Sequence, residues 1–119
     1  MAKRGLFVYG TLHPDRAPRQ LQHVVAQFQR IGRGTITGQL LDLGEYPGVI
    51  THGRQNVVEG TLFALPDDPS LWRELDAYEG FEPSDIPASL FRREQITVTM
   101  DDGSEQEHWI YLYNQPIRA

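Results

Sequence analysis

The acidic residue Glu79 has an unusual place in the helical pattern of this chain. Asp68 followed by Pro69 is typical of a helix start, because aspartate accepts hydrogen bonds from free N–H groups and proline fits the first turn. At about 100° per residue, Glu79 falls between Leu75 and Trp72 on the apolar face. Burial among hydrocarbon raises the pKa of a carboxyl group, because it disfavours the anion. Glu79 is therefore a candidate general base at neutral pH.

The end of the same helix supports this interpretation. Gly80 is typical of the left-handed residue just beyond a helix end, so Glu79 lies in the last turn. There the helix dipole repels negative charge, which raises the pKa of the carboxyl group further. The opposite arc of the helix is predicted to face water and comprises Arg73, Glu74, Asp76 and Ala77.

Glu79 also has a structural interpretation. A buried acid can pair with an arginine and hold a helix against a strand, and Arg92 or Arg93 is the candidate partner. Helix geometry alone leaves the catalytic and the structural roles open. Arg93 has two interpretations of its own, since it could orient a substrate or only pair with surface acids.

A second candidate site lies where the first predicted strand ends. Gly10 follows the apolar run at 6–9, and a glycine there lets successive N–H groups converge into a small nest for a carboxylate or an oxyanion. Tyr9, Thr11 and Leu12 flank this glycine. Taken alone, the pattern is more typical of an ordinary glycine turn.

Short strands and two helices are predicted to position these residues. Strands are predicted at 6–9, 35–43, 47–50, 57–65, 95–100 and 108–113, and helices at about 18–31 and 69–79. The residues at 101–104 are typical of a hairpin turn. Because closure removes exposed sheet edges, so many short strands favour an α+β fold, a small barrel of about six strands with two main flanking helices. Gly38 and Gly60 would allow sharp bends in their strands.

Composition narrows the possible functions. A chain of 119 residues with 39% hydrophobic residues is expected to form one domain, 1–119. Its net charge of −5 comes from 16 acids without a basic stripe, which disfavours nucleic acid or membrane partners and favours a small molecule.

The chain has no cysteine and its 4 histidines lack ligand spacing, so we expect neither a metal site nor a cofactor. No segment has the length of a signal sequence or a membrane span, so the expected location is the cytoplasm.

Five blocks of sequence occur together in a characteristic order. They lie at 7–12 (FVYGTL), 59–63 (EGTLF), 75–80 (LDAYEG), 91–93 (FRR) and 109–111 (WIY). Together they cover nearly the whole chain, which resembles the gamma-glutamylcyclotransferase-like family, in particular its branch with gamma-glutamylamine cyclotransferase and small bacterial relatives. The chain departs from the family pattern at His13 and Pro14, where a basic residue is usual, and at Phe91, where tyrosine is frequent.

This resemblance has implications for fold and activity. It implies a compact, small mixed β-barrel with flanking helices. It implies that Tyr9, Gly10, Thr11 and Leu12 bind the substrate through their backbone and that Glu79 is the proton acceptor. The implied reaction is an intramolecular aminolysis of the amidine-lyase type that needs no metal. The α-amine of a gamma-glutamyl group attacks its own side-chain carbonyl, forms 5-oxoproline and expels an amine or an amino acid.

Two more residues are expected to contact the substrate. Arg93 follows Phe91 at the spacing of the family's arginine, and Tyr111 is the aromatic residue best suited to a substrate hydrogen bond. Contacts to the leaving amine are expected from the loop at 81–89 and from the residues around Phe91, and the sequence does not identify that amine.

Two other functions stay open. The same fold could serve as a non-catalytic module that binds a carboxylate-bearing metabolite, or as a protein-interaction domain. The loop at 80–89 could cover the pocket or form an interface. The chain is expected to be a monomer or a weak homodimer.

Overall fold

The computed structural model describes residues 5–9, 17–44 and 46–116. The strands in this part of the chain are β1 (Leu6–Val8), β2 (Gln29–Asp42), β3 (Pro47–Ile50), β4 (Asn56–Ala64), β5 (Phe91–Met100) and β6 (Glu105–Tyr113). The helices are α1 (Gln22–Val25) and α2 (Pro69–Glu79), with 3-10 turns at Arg19–Leu21 and Ile86–Ala88. Every predicted strand is present, and β2, β5 and β6 are longer than the sequence pattern indicated.

Five of the strands close into a barrel. They pair in the order β2, β4, β1, β6 and β5, and β5 returns to β2 through the pairs Gly34 with Met100 and Thr35 with Thr99. The pairing of β1 with β6 is parallel, and the other pairings in the ring are antiparallel. Among the described strands, β3 pairs only with β2 and lies outside the ring. The predicted small mixed barrel with an α+β composition is confirmed.

The two faces of the barrel strands build two apolar cores. One core lies inside the ring and contains Phe7, Ile36, Val58, Val98, Ile110 and Leu112. The other packs the helices on the outer face and includes Leu6, Val8, Val24, Leu71, Leu75 and Tyr111. Because neighbouring side chains of a strand point to opposite faces, β1 and β6 contribute to both cores. Residues of β1 and β6 thereby reach the helix that carries Glu79.

Helix α2 has the predicted ends. The Asp68 carboxylate accepts a hydrogen bond from the Ser70 N–H at 3.0 Å, and Pro69 is the first helical residue. Gly80 has φ 70°, a left-handed conformation that ends the helix. The Phe81 N–H then donates to the carbonyl of Asp76 at 2.8 Å. Within the described residues, no helix has the length and apolar character needed to cross a membrane.

The prediction of a first helix at about 18–31 is wrong in extent. Helix α1 ends at Val25, and β2 begins at Gln29. The apolar residues of this segment do not share one helical face, because Phe28 packs against Phe63 of β4 while Ile31 is 51% exposed. Residues 29–31 are therefore part of a strand because this segment pairs with β4, although the spacing of its apolar residues is typical of a helix.

Gly60 is required by close packing between neighbouring strands. A Cβ atom there would lie 2.5 Å from Cζ of Phe7 and 2.7 Å from the carbonyl oxygen of Val8. Both distances are too short for any side chain. At Gly38 a Cβ atom would likewise lie 2.9 Å from the carbonyl oxygen of Ile50. The two glycines thus allow β4 to approach β1 and β2 to approach β3.

Candidate functional site

Glu79 is the last residue of α2 and is partly buried. Burial raises the pKa of its carboxyl group from an ordinary value of 4.5 to about 7. This is the direction that the helical pattern predicts. A carboxyl group with this pKa is about half ionised at neutral pH, so it can both accept and return a proton.

Within residues 5–9, 17–44 and 46–116, the Glu79 carboxylate has no hydrogen bond or ion pair. The two arginines considered as its partners are engaged elsewhere. Arg92 donates to the Glu94 carboxylate and to Oδ1 of Asn114, the latter at 3.1 Å. Arg93 pairs with Asp76. The structural interpretation of Glu79 as the partner of Arg92 or Arg93 is therefore wrong.

Tyr9 lies directly after β1, and its hydroxyl group both donates and accepts a hydrogen bond. The hydroxyl donates to the carbonyl oxygen of Tyr111 at 2.6 Å and accepts from the Val49 N–H at 3.2 Å. Burial raises the pKa of the Tyr9 hydroxyl, the negative charge of Glu79 raises it further, and the Val49 N–H opposes both. The ring of Tyr9 thus lies within electrostatic reach of Glu79, while its hydroxyl proton is held by the backbone.

Tyr111 of β6 also lies within electrostatic reach of the Glu79 carboxylate. It is buried, and its hydroxyl donates to Oδ1 of Asp76 at 2.6 Å. Burial raises the pKa of the Tyr111 hydroxyl most, the hydrogen bond and charge of Asp76 add to it, and Glu79 contributes as well. Since the Tyr111 proton is committed to Asp76, the hydroxyl oxygen has only lone pairs left to offer.

Arg93 of β5 is not a lone surface arginine. Its Nε donates to Oδ1 of Asp76 at 2.9 Å and its Nη2 to Oδ2 at 3.2 Å. The guanidinium carbon lies 4.6 Å from the ring centres of both Trp72 and Trp109. The side chain is 19% exposed. This two-point contact and the aromatic contacts join α2 to the barrel, and the role of Arg93 in substrate binding stays a prediction.

The structure corrects the predicted position of Asp76. The helical pattern placed Asp76 on the arc that faces water, but the residue is 7% exposed and accepts from both Arg93 and Tyr111. Periodicity assigns a charged residue to the solvent because it does not represent partners on distant strands. The FRR and WIY blocks contain both partners, yet only the fold brings them to Asp76.

Three predicted substrate-binding residues lie outside the described part of the chain. They are Gly10, Thr11 and Leu12, and the departures at His13 and Pro14 lie there too. Of the predicted backbone loop, only Tyr9 is described. The contribution of this loop to the site stays a prediction.

The loop that follows Glu79 is held by side chains from its own end and from the chain after β6. Ser89 Oγ accepts from the Glu82 N–H at 2.8 Å and donates to the carbonyl oxygen of Asp85 at 3.1 Å. Asn114 Nδ2 donates to the carbonyl oxygens of Ile86 and Ser89 at 2.8 and 3.0 Å. These bonds give the loop a defined conformation beside the end of α2.

The described residues offer no metal site, and the cavity they form is lined by residues other than Glu79. No group of three or more histidine, cysteine or acidic side chains there could hold a metal ion. A cavity of about 350 Å³ lies at the turn between β2 and β3. It is lined by Leu40, Leu41, Asp42, Gly44, Tyr46 and Pro47, none of which is a predicted site residue.

Comparisons with known proteins support the architecture. The family model described as "Gamma-glutamyl cyclotransferase, AIG2-like" matches residues 6–119. YkqA from Bacillus subtilis has a similar structure, with a TM-score of 0.70 and 23% identity. The match covers 95% of this chain but 36% of YkqA, so the chain spans about a third of that protein.

Other solved structures share the fold over more of their length. An AIG2-like protein from Mus musculus has a TM-score of 0.65 and 21% identity, with 96% of this chain and 79% of that one covered. A protein described as "Gamma-glutamyl cyclotransferase" has a TM-score of 0.63 and 12% identity, with 92% and 66% covered. A search of the curated proteins found no significant match. At these identities the structural likenesses show the fold.

Proposed function

Because the chain belongs to the gamma-glutamyl cyclotransferase, AIG2-like family, we propose that it is an enzyme that cyclises a gamma-glutamyl group to 5-oxoproline. The reaction releases an amine or an amino acid. The observation that carries this proposal is the Glu79 carboxyl group, partly buried, with a pKa of about 7 and no partner within the described residues.

The reaction is an acyl transfer within one molecule. The α-nitrogen of the gamma-glutamyl group forms a bond to its own side-chain carbonyl carbon, and the bond from that carbon to the leaving nitrogen breaks. The α-ammonium gives one proton to the base before the attack, and the same nitrogen gives up a second proton as the lactam forms. The leaving nitrogen gains one proton as its bond breaks and a second as the free amine becomes an ammonium ion. Both reacting groups belong to the substrate, so the protein contributes mainly by holding the bent conformation and by moving the proton.

Glu79 is suited to both proton transfers. Its carboxylate takes the proton of the α-ammonium, whose ordinary pKa is about 8, and the resulting acid returns a proton to the leaving nitrogen. A base with a pKa of about 7 accepts this proton more readily than one at 4.5. The raised pKa therefore favours the uptake of this proton, while about half of the carboxyl groups are still ionised at neutral pH.

The substrate is held between the end of β1 and the end of α2. Tyr9 and Tyr111 lie within electrostatic reach of Glu79, and their rings are proposed to line the substrate space next to the base. The Tyr111 hydroxyl oxygen, with its proton given to Asp76, can accept a hydrogen bond from the substrate ammonium. The N–H groups of Gly10, Thr11 and Leu12 are proposed to bind the α-carboxylate or the developing oxyanion.

A direct assay for the product tests this function. The protein is incubated with a gamma-glutamyl amino acid, with gamma-glutamyl-ε-lysine and with a simple gamma-glutamyl amide, and 5-oxoproline is measured by mass spectrometry. We expect release from at least one substrate, and loss of release in Glu79→Gln. The matched control is Glu74→Gln, an exposed acid of the same helix that contacts His23. Binding of these ligands without any 5-oxoproline would instead identify a non-catalytic module.

A further inference from the structure

We propose that Asp76 is a positioning residue, whose carboxylate ties the last turn of α2 to β5 and β6 and so places Glu79 for proton transfer. The proposal deepens the proposed function and depends on it for the catalytic consequence. Asp76 is not assigned a contact with the substrate.

Three donors from two strands converge on the Asp76 carboxylate. Arg93 of β5 supplies Nε at 2.9 Å and Nη2 at 3.2 Å, and Tyr111 of β6 supplies its hydroxyl at 2.6 Å. Oδ1 accepts from both residues, and Oδ2 accepts from Arg93. A carboxylate held from two directions fixes the rotation of the helix that carries it.

The arginine in this contact is itself fixed in place. Its guanidinium carbon lies 4.6 Å from the ring centres of both Trp72 and Trp109, and these two rings meet edge to face with their centres 6.3 Å apart. Trp72 is on α2, one turn before Asp76, and Trp109 is on β6. The helix and the barrel therefore each contribute one aromatic ring to the same cation. A lysine could not reproduce this two-point contact, because its ammonium group is a point charge.

Asp76 and Glu79 are connected by the backbone of the last helical turn, so the contacts that fix Asp76 also fix the place of Glu79. The two residues are three positions apart, and the helix ends immediately after Glu79. The Gly80 N–H donates to the carbonyl of Ala77 and the Phe81 N–H to that of Asp76. Within the described residues, no hydrogen bond holds the Glu79 side chain directly. Its place is thus set by the last turn, which Asp76 anchors.

A buried ion pair is poor evidence for a contribution to stability, because desolvation offsets much of the attraction. Replacement of such a pair by hydrocarbon is often neutral. The contact between Asp76 and Arg93 is therefore better explained by orientation than by stability. An experiment must therefore distinguish an effect on the orientation of Glu79 from an effect on stability.

The test measures kinetics and the pKa of Glu79 in Asp76→Asn. The asparagine keeps the size of the side chain and removes the charge that fixes Arg93. We expect kcat to fall about 10- to 100-fold with KM changed less than about threefold, because a displacement on the order of 1 Å costs that much in rate. We also expect the Glu79 pKa, followed by carbon NMR, to fall from about 7 toward 4.5, since a loosened turn admits water. Glu74→Gln should leave all three quantities unchanged.

The NMR titration separates this proposal from the proposed function, because it needs no turnover. A protein without cyclotransferase activity whose Glu79 pKa still falls in Asp76→Asn would support the positioning role and reject the activity. A folded Asp76→Asn protein with unchanged kcat and Glu79 pKa would overturn the positioning role, as would a loss confined to KM. If Asp76→Asn does not fold, the Glu79 pKa is measured in Arg93→Lys, and an unchanged pKa in that variant overturns the positioning role. Failure of both variants to fold would assign the pair to folding and also overturn the proposal.

Discussion

The carboxylates of Asp76 and Glu79 lie one turn apart on α2 and have opposite surroundings. Asp76 accepts from Arg93 and Tyr111, whereas Glu79 is partly buried without a partner in the described part of the chain. Two acids of one helix are thus given different tasks by their environment. One holds the helix on the barrel, and the other is proposed to move protons.

Glu79→Gln should lower turnover by two or more decades. The amide has nearly the shape of the acid but cannot accept the ammonium proton, and general acid–base catalysis contributes roughly that factor. Substrate affinity should change little, because the base acts in the chemical step. Steady-state kinetics and calorimetric binding of a gamma-glutamyl ligand check both statements. Near-normal turnover would remove Glu79 from the mechanism.

The rate should rise with pH through the pKa of Glu79. In the proposed mechanism the carboxylate is the active form, and burial raises the pKa of this group to about 7. The acidic limb of kcat/KM should therefore have its midpoint near pH 7 and a slope of one proton. A pH series with one gamma-glutamyl substrate measures this limb. A midpoint near 4.5 would show that the free enzyme does not bury this acid.

Stability should depend on pH through the same group, with a definite sign. The pKa of Glu79 is raised in the folded state, so its favourable contribution is complete below pH 4.5 and is lost as the pH rises through about 7. The shift corresponds to about 3 kcal/mol at most. Urea unfolding of the natural protein and Glu79→Gln at pH 5 and pH 8 tests this dependence. The natural protein should lose stability relative to the variant over this interval, and an equal difference at both values would contradict the buried, unpaired acid.

Tyr9→Phe should destabilise the fold by about 1 to 3 kcal/mol. The substitution removes the acceptor of the buried Val49 N–H and the donor to the carbonyl of Tyr111, and an unsatisfied buried group costs roughly that amount. Tyr113→Phe is the matched control, because the Tyr113 ring packs on Phe91 and its hydroxyl has no hydrogen bond within the described residues. Chemical denaturation of both variants makes the comparison. Equal stabilities would show that the Tyr9 hydroxyl does not link β1 to β3 and β6.

Gly60→Ala should also destabilise the protein by about 1 to 3 kcal/mol. The added methyl group would lie 2.5 Å from Cζ of Phe7 and 2.7 Å from the backbone oxygen of Val8, so a strand must move. Gly32→Ala is the control, since its nearest neighbour would be Cε of Met100 at an ordinary 3.6 Å. Thermal unfolding of the two variants distinguishes close packing from a general loss of glycine flexibility. A stable Gly60→Ala protein would mean that β4 and β1 can separate without cost.

Limits fixed by residues close together in the sequence are predicted correctly, as in α2, and a limit fixed by pairing with distant residues is not, as in α1. The limits of α2 depend on Asp68, Pro69 and Gly80, which act on their own turns, and all three behave as predicted. The segment after Val25 has helical spacing of apolar residues, but pairing with β4 makes it a strand. Local signals are readable from neighbouring residues, whereas strand pairing depends on a partner about thirty positions away.

The sequence by itself determined the presence of the six strands, the ends of α2 and the place of Glu79 on the apolar face, because periodicity and capping are local properties. Tertiary structure alone decided which acid pairs with an arginine. Asp76, predicted to face water, is buried and binds Arg93 and Tyr111. Glu79 has no partner in the described residues. The physical reason is that burial of a charge costs little free energy only when hydrogen-bond donors surround it. Here those donors lie on distant strands, about which helical spacing contains no information.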